Sequence, residues 1–162
     1  MARLRLQGRS QTRTRRLAIP VTLRVTTLVD TSVWSLALRR RPSDLNRRER
    51  RVVDNLRRLI EDGDAAIIGP IRQELLSGVR DESQFHRLRE TFGHFSHIII
   101  EDADYDAAAE CFNTCRSAGL AATAIDMLIC AVAMRVGTRL FTIDADFDRY
   151  AKVIGLGLHK VA

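Results

Sequence analysis

The sequence predicts an α/β fold, a sandwich of helices around a mostly parallel sheet. Three observations carry that prediction. Short β-branched or apolar runs alternate with longer segments whose apolar residues recur at helical spacing, the pattern of successive βαβ units. Two of the runs stop at an aspartate, Asp30 and Asp144, and helix-forming residues follow each. The 162 residues suit one domain of about 100–200 residues, with no internal repeat or interdomain linker. Hydrophobic residues at 46% and charged residues at 28% match ordinary globular usage, which excludes disordered, collagenous and low-complexity chains.

Residues 21–30 (VTLRVTTLVD) form the first expected strand, and DTSVWSLAL after it opens a helix. Pro42 and Ser43 break the chain. Residues 44–62 then set Leu45, Val52, Val53, Leu56, Leu59 and Ile60 on one 3.6-periodic stripe that ends at Gly63, predicting an amphipathic helix. Its other faces carry Arg47, Arg48, Arg50, Arg51, Arg57 and Arg58, with Arg39, Arg40 and Arg41 just before. Residues 65–68 read as the second strand. Gly69 and Pro70 set a turn that opens the helix IRQELLSG, since proline suits a first helical position. Another helix spans 81–92 and a third strand 97–100. A long helix follows over 103–117 with Asp102 as its N-cap, and Gly119 lies beyond its end. Thr123 caps a helix running to about Val136, where Ile125, Leu128, Ile129 and Val132 are spaced for burial. A fourth strand covers 139–143, a short helical turn 144–150, and an edge strand closes the segment 152–161.

The net charge of +6 is unevenly placed. The first 24 residues hold seven arginines and no acid, a charge of +7, while residues 25–162 carry 19 basic against 20 acidic side chains, a net of −1. Residues 1–21 lack the apolar core of a secretory signal and are expected to be a disordered basic extension or residues upstream of the true translation start. The domain proper is expected over 22–162. Without a run of about 18 apolar residues, no membrane span is expected, and the protein reads as soluble and cytoplasmic. Cys111, Cys115 and Cys130 fall in apolar helical patterns without zinc-ligand spacing, which fits small core residues in a reducing compartment.

In an open α/β sheet, ligands bind beyond the carboxyl ends of the strands. Asp30 and Asp144 stand there, Asp126 lies in the first turn of the helix capped by Thr123, and Glu74 lies in the helix after the second strand. With Asp146, five carboxylates are candidates for one rim. Clustered carboxylates repel unless a cation neutralises them, and oxygen-only ligation favours Mg²⁺ or Mn²⁺. Such a site suits phosphodiester hydrolysis. Each acid also has a purely structural role open to it: Asp126 at N3 of a helix, Asp144 as an N-cap, Asp30 in a turn, Glu74 on a solvated face. A haloacid-dehalogenase-type phosphatase needs a second acid two residues after the first, and position 32 is serine. A receiver domain needs an acid pair before the end of the first strand, which is absent.

The ordered set VDTSVW (29–34), RQELLSG (72–78), TAIDMLICAVA (123–133) and FTIDADF (141–147) resembles the PIN-domain ribonucleases, and more narrowly the VapC toxins of toxin–antitoxin pairs. The similarity runs from about Thr22 to the C-terminus. It implies a three-layer α/β/α sandwich, RNA cleavage dependent on Mg²⁺ with Mn²⁺ able to substitute, a homodimer, and a VapB-like antitoxin that occludes the site. By this likeness Asp30 matches the first metal ligand, Glu74 the second acid, Asp126 the third, and Asp144 the more variable fourth, with Asp146 able to share or replace its role. Asp30 and Asp126 are expected to hold the principal metal, with Asp144 or Asp146 completing a first or second site, Glu74 to ligate a metal directly or through water and help orient the attacking water, and Thr31 or Ser32 to support the site. Cys130 departs from the family's usual alanine, and the basic extension has no family counterpart. The arginines at 39–58 suit either RNA phosphates or an antitoxin's docking surface. A non-catalytic PIN-fold binding module and a solitary PIN nuclease are the other readings of the same residues.

Overall fold

The computed structural model describes residues 26–161. The basic extension and the first residues expected in the first strand lie outside that range. Within it, β1 (Thr27–Val29) leads into α1 (Thr31–Arg39), α2 (Arg47–Glu61) and β2 (Ala65–Ile67). Then come α3 (Gly69–Ser77), α4 (Glu82–Gly93), β3 (Ser96–His97), α5 (Asp102–Ser117), α6 (Ala124–Arg135), β4 (Arg139–Phe141) and α7 (Ala145–Ile154). The strands form one parallel sheet in the order β3-β2-β1-β4. Val29 pairs with Phe141, so β1 and β4 end side by side.

That order fixes the layers. The chain steps from β1 to β2 to β3 in one direction, then returns past β1 to β4 in the other. Because parallel crossovers are right-handed, opposite directions put their helices on opposite faces. Contacts follow the same division: α1 packs on α2 and α3, and α3 on α4, whereas α5 packs on α6 and α7. The α/β/α sandwich expected from the sequence is the observed one. Its strands read as continuous apolar runs because both faces are covered; Leu28, Val29, Ala66, Ile67, Leu140 and Phe141 are all fully buried.

Several expected boundaries need correction. The helix expected over 44–62 begins only at Arg47. Pro42–Asp44 is a separate 3₁₀ turn, and Asn46 caps α2 through a reciprocal bond pair with Glu49. The long helix takes Glu101, not Asp102, as its N-cap. The third and fourth strands are shorter than expected, since Ile98 and Thr142 already lie outside them. The terminal edge strand is a single parallel bridge, Leu140 to Leu158. By contrast α7 outruns its expected end at Tyr150 and stops at Gly155, whose φ of 74° is the left-handed conformation that glycine adopts without penalty. Among the described residues no helix is long and apolar enough to cross a membrane.

Candidate active site

Strand order reverses between β1 and β4, and the crevice above their carboxyl ends is where an open α/β sheet binds ligands. A pocket of about 270 Å³ opens at that point, and Asp30, Glu74, Asp126 and Asp144 all line it. Thr31, Ser32 and Ser35 add hydroxyls, while Ile129 and Phe147 supply an apolar wall. Four of the five carboxylates expected from sequence thus meet in one cavity. Asp146 does not line it; its carboxylate is paired with Arg149 one helical turn on.

Three helix N-termini deliver the acids. Asp30 caps α1, its Oδ2 accepting from the Ser32 amide at 3.2 Å. Asp144 caps α7, its Oδ1 accepting from the Asp146 amide at 2.9 Å. Asp126 occupies the first turn of α6, where its own amide donates to the capping Thr123 Oγ1 at 3.0 Å. The structural roles of these three acids are thus realised, and they coexist with a place at the pocket. A cap fixes where each carboxylate sits, and the positive end of the helix dipole lowers the cost of keeping it charged. Glu74 comes from α3 and is tied across to α1 by the Thr31 hydroxyl, which donates to its Oε2 at 2.9 Å.

A chain of hydroxyls locks β1 to β4 beneath the pocket. Asp30 is buried, with 6% of its surface exposed, and its Oδ2 also accepts from Ser32 Oγ at 2.5 Å and Thr142 Oγ1 at 2.9 Å. All three of these donors are on Oδ2. Thr142 in turn accepts from the Asp144 amide at 3.0 Å, and Ser32 Oγ accepts from the Ile143 amide at 3.2 Å. The Asp30 amide closes the junction by donating to the Phe141 carbonyl at 2.9 Å. Ser32 was expected to support the site. Thr142 was not, because nothing in FTID distinguishes it until β4 is known to lie beside β1.

Electrostatics bear the mark of crowded acids. Burial lifts the Asp126 carboxyl above the ordinary aspartate value, and like charge from Asp144 and Asp30 adds to the lift, against the bonds from Thr123. Tyr150, whose hydroxyl donates to the Ala121 carbonyl at 2.8 Å, is pushed up to about 12 by burial and by Asp126, Asp146 and Asp144. Cys130 is likewise raised, chiefly by burial. It is a core residue, as are Cys111 and Cys115.

The donor set is all oxygen, which suits a hard divalent cation. Among the described residues no three of His, Cys, Asp or Glu already stand close enough to enclose an ion together. A hard cation held there by one or two of the carboxylates would need water to complete its coordination.

The PIN-domain family profile matches residues 27–153. The chain belongs to the PIN-domain family. Among PIN-domain relatives, the VapC ribonuclease Mb1587 of Mycobacterium bovis is 34% identical over 131 residues, spanning 80% of this chain and 94% of the relative. Ribonuclease VapC11 of Mycobacterium tuberculosis matches with the same identity and spans. Solved structures with this PIN fold include VapBC2 from Rickettsia felis bound to a promoter DNA fragment, with a TM-score of 0.64 at 18% identity over 83% of this chain and 97% of that one. DNA-bound VapBC from Salmonella typhimurium has a TM-score of 0.65 at 12% identity, over 86% and 100% respectively. The resemblance carried by the four motifs holds.

Proposed function

We propose that the protein is a Mg²⁺-dependent endoribonuclease, with Mn²⁺ able to substitute, acting as the toxin of a type II toxin–antitoxin pair. The observation that carries this reading is the meeting of Asp30, Glu74, Asp126 and Asp144 in one pocket at the reversal of strand order. Its relatives' names, VapC ribonucleases, support the substrate and the toxin role. The VapBC structures that share its fold support a VapB-like antitoxin as partner, and a homodimer is part of the same proposal.

In this reading Asp30 and Asp126 are the metal ligands. A divalent cation held there would offset the negative charge building on a phosphodiester during in-line displacement and would lower the pKa of a water. Asp30 is held in place for that task by Ser32 and Thr142. Glu74, steadied by Thr31, faces the same pocket and orients the attacking water or takes its proton. Asp144, at the rim, completes the ligand set directly or through water. Ile129 and Phe147 close one side and limit bulk water around the reacting phosphate.

The test is cleavage of total RNA by purified protein, with Mg²⁺ and with chelator, by the unaltered chain and by Asp30→Asn and Asp126→Asn. Expected is cleavage only with the metal and loss of at least about a hundredfold in each variant, as befits groups acting on the transition state. Undiminished cleavage by both variants, or full activity in chelator, overturns the metal-site reading. Toxicity on expression, relieved by either substitution, tests the toxin role.

A further inference from the structure

A second and larger cavity adjoins the carboxylate pocket. It measures about 600 Å³ and is lined by Arg48 and Arg51 of α2, Thr142 to Asp144, Asp148 of α7, and Leu158 to Val161. Asp144 lines both cavities, and Thr142, whose hydroxyl reaches Asp30, lines the larger. Arg48 and Arg51 are three residues apart on α2 and so share a face. Lys160 approaches from the C-terminal segment, which is fastened to β4 by the Leu140 and His159 backbone bonds. Among the described residues none of these three cations forms an ion pair, whereas Arg57 of α2 and Arg149 of α7 are paired with Asp54 and Asp146, and Arg40, just after α1, with Glu49. Three cations without an ion pair among the described residues, gathered beside an acidic site, are what a polyanion needs to approach it.

We propose that Arg48, Arg51 and Lys160 seat consecutive phosphates of a single RNA strand and lead it across Asp144 to the carboxylates. The inference rests on the nuclease reading and assigns its substrate path. It separates two arginines from the nine between positions 39 and 58. The cleft, about 600 Å³, is of the size of a pocket for a few groups of one strand. Phosphate contacts position a strand without reading its sequence, so the cleft sets affinity and register while base choice lies elsewhere.

The experiment measures binding of a fluorescein-labelled single-stranded oligoribonucleotide of mixed sequence by anisotropy across a salt series. An Asp30→Asn background prevents cleavage. Each single-strand phosphate contact contributes about −0.7 to the slope of log affinity against log salt, so Arg48→Gln/Arg51→Gln/Lys160→Gln is expected to flatten the slope by about 2. The pair Arg57→Gln/Arg58→Gln removes two charges from the same helix outside the cleft and is expected to leave the slope nearly unchanged. Lys160→Gln alone, on a separate segment, is expected to cost about 0.7 and serves if the triple variant fails to fold. Equal effects of the cleft and control sets, or an unaltered slope in the cleft variants, overturn the proposal. So does a cleft whose substitution weakens only antitoxin binding. If the unaltered chain binds RNA through the cleft yet cleaves none with Mg²⁺, the nuclease reading fails while the binding path stands.

Discussion

At the scale of the residue, Thr142 shows how one hydroxyl serves two acids. It donates to Asp30, 112 positions away, and accepts from the amide of Asp144. Thr142→Val keeps the shape and removes both bonds. Groups that orient metal ligands typically contribute 10–100-fold to metal affinity or activity. The variant is therefore expected to cleave RNA about 10–100-fold more slowly and to need more Mn²⁺ for half-maximal rate, and an unchanged Mn²⁺ requirement would remove Thr142 from the site. His159 poses a question of pH. Burial, aided by Arg139, holds its imidazole below the usual 6.5, and its Nε2 lies 2.6 Å from Asn55 Oδ1, a bond that the neutral ring can donate. The folded chain then binds fewer protons here than the unfolded one. This contribution to stability is complete above 6.5 and is lost as pH falls from there through the folded-state value. Urea unfolding across that window is expected to show a shallower pH dependence in His159→Gln, and an equal one would clear His159 of the effect. Asp30, Asp126 and Asp144 were legible because a strand end or a first helical turn places an acid at the rim, and Glu74, beyond the first turn of α3, because its helix follows a strand. Thr142 was not, since its role arises only from the register of β1 on β4. Asp146 lies outside the pocket, since a spacing of two residues at a helix start does not say which of two acids faces it.

At the scale of the element, the weak points of sequence reading were the short strands and the chain ends, where few residues carry the pattern. Ser96 and His97 have no apolar alternation of their own and are a strand only because β2 pairs with them. The turn at Pro42–Asp44 hid the true start of α2, since Leu45 belongs to the buried set without being helical. The α5–α6 layer was read correctly in outline, but the ion cluster that ties it together was not. Arg135 at the end of α6 donates to Asp104 at 2.7 Å, to Glu101 at 2.9 Å and to the Ile99 carbonyl at 2.7 Å. Asp104 is 1% exposed. Burial pushes its carboxyl up, yet the bonds from Arg135 and the Glu101 amide outweigh that and hold it below the ordinary value. Removing one partner of a buried pair costs about 3–5 kcal/mol because a charge is left uncompensated. Arg135 keeps about a third of its side chain in water, so Arg135→Met is expected near the lower end, about 3 kcal/mol by urea unfolding. A loss below about 1 kcal/mol would class the cluster with exposed surface pairs.

At the scale of the whole molecule, the charge and the topology tell different stories about the same function. The net +6 suggests a nucleic-acid partner, but residues 25–162 sum to −1, and their contribution lies in where the charges fall. Acids gather at the reversal of strand order and cations in the cleft beside it. Such a site has no local existence. Asp30 comes from the start of the described chain, Thr142 and Asp144 from near its end, and only the completed sheet brings β1 and β4 together. Partial unfolding of either face should then remove activity with the fold. Trp34, packed against Phe92 and Phe95 with ring centres 5.6 and 4.9 Å away, reports one face. Cys111 and Cys115 of α5 and Cys130 of α6, all buried and with raised thiol pKa values, report the other, because buried thiols are inert until exposed. In a urea series, Trp34 fluorescence, RNA cleavage and thiol reactivity toward a disulfide reagent are expected to change at one common midpoint, the mark of an all-or-none transition. Thiols that react before the tryptophan signal moves would show that the α5–α6 layer opens by itself. The Asp126 arm of the site would then be separable from the Asp30 arm.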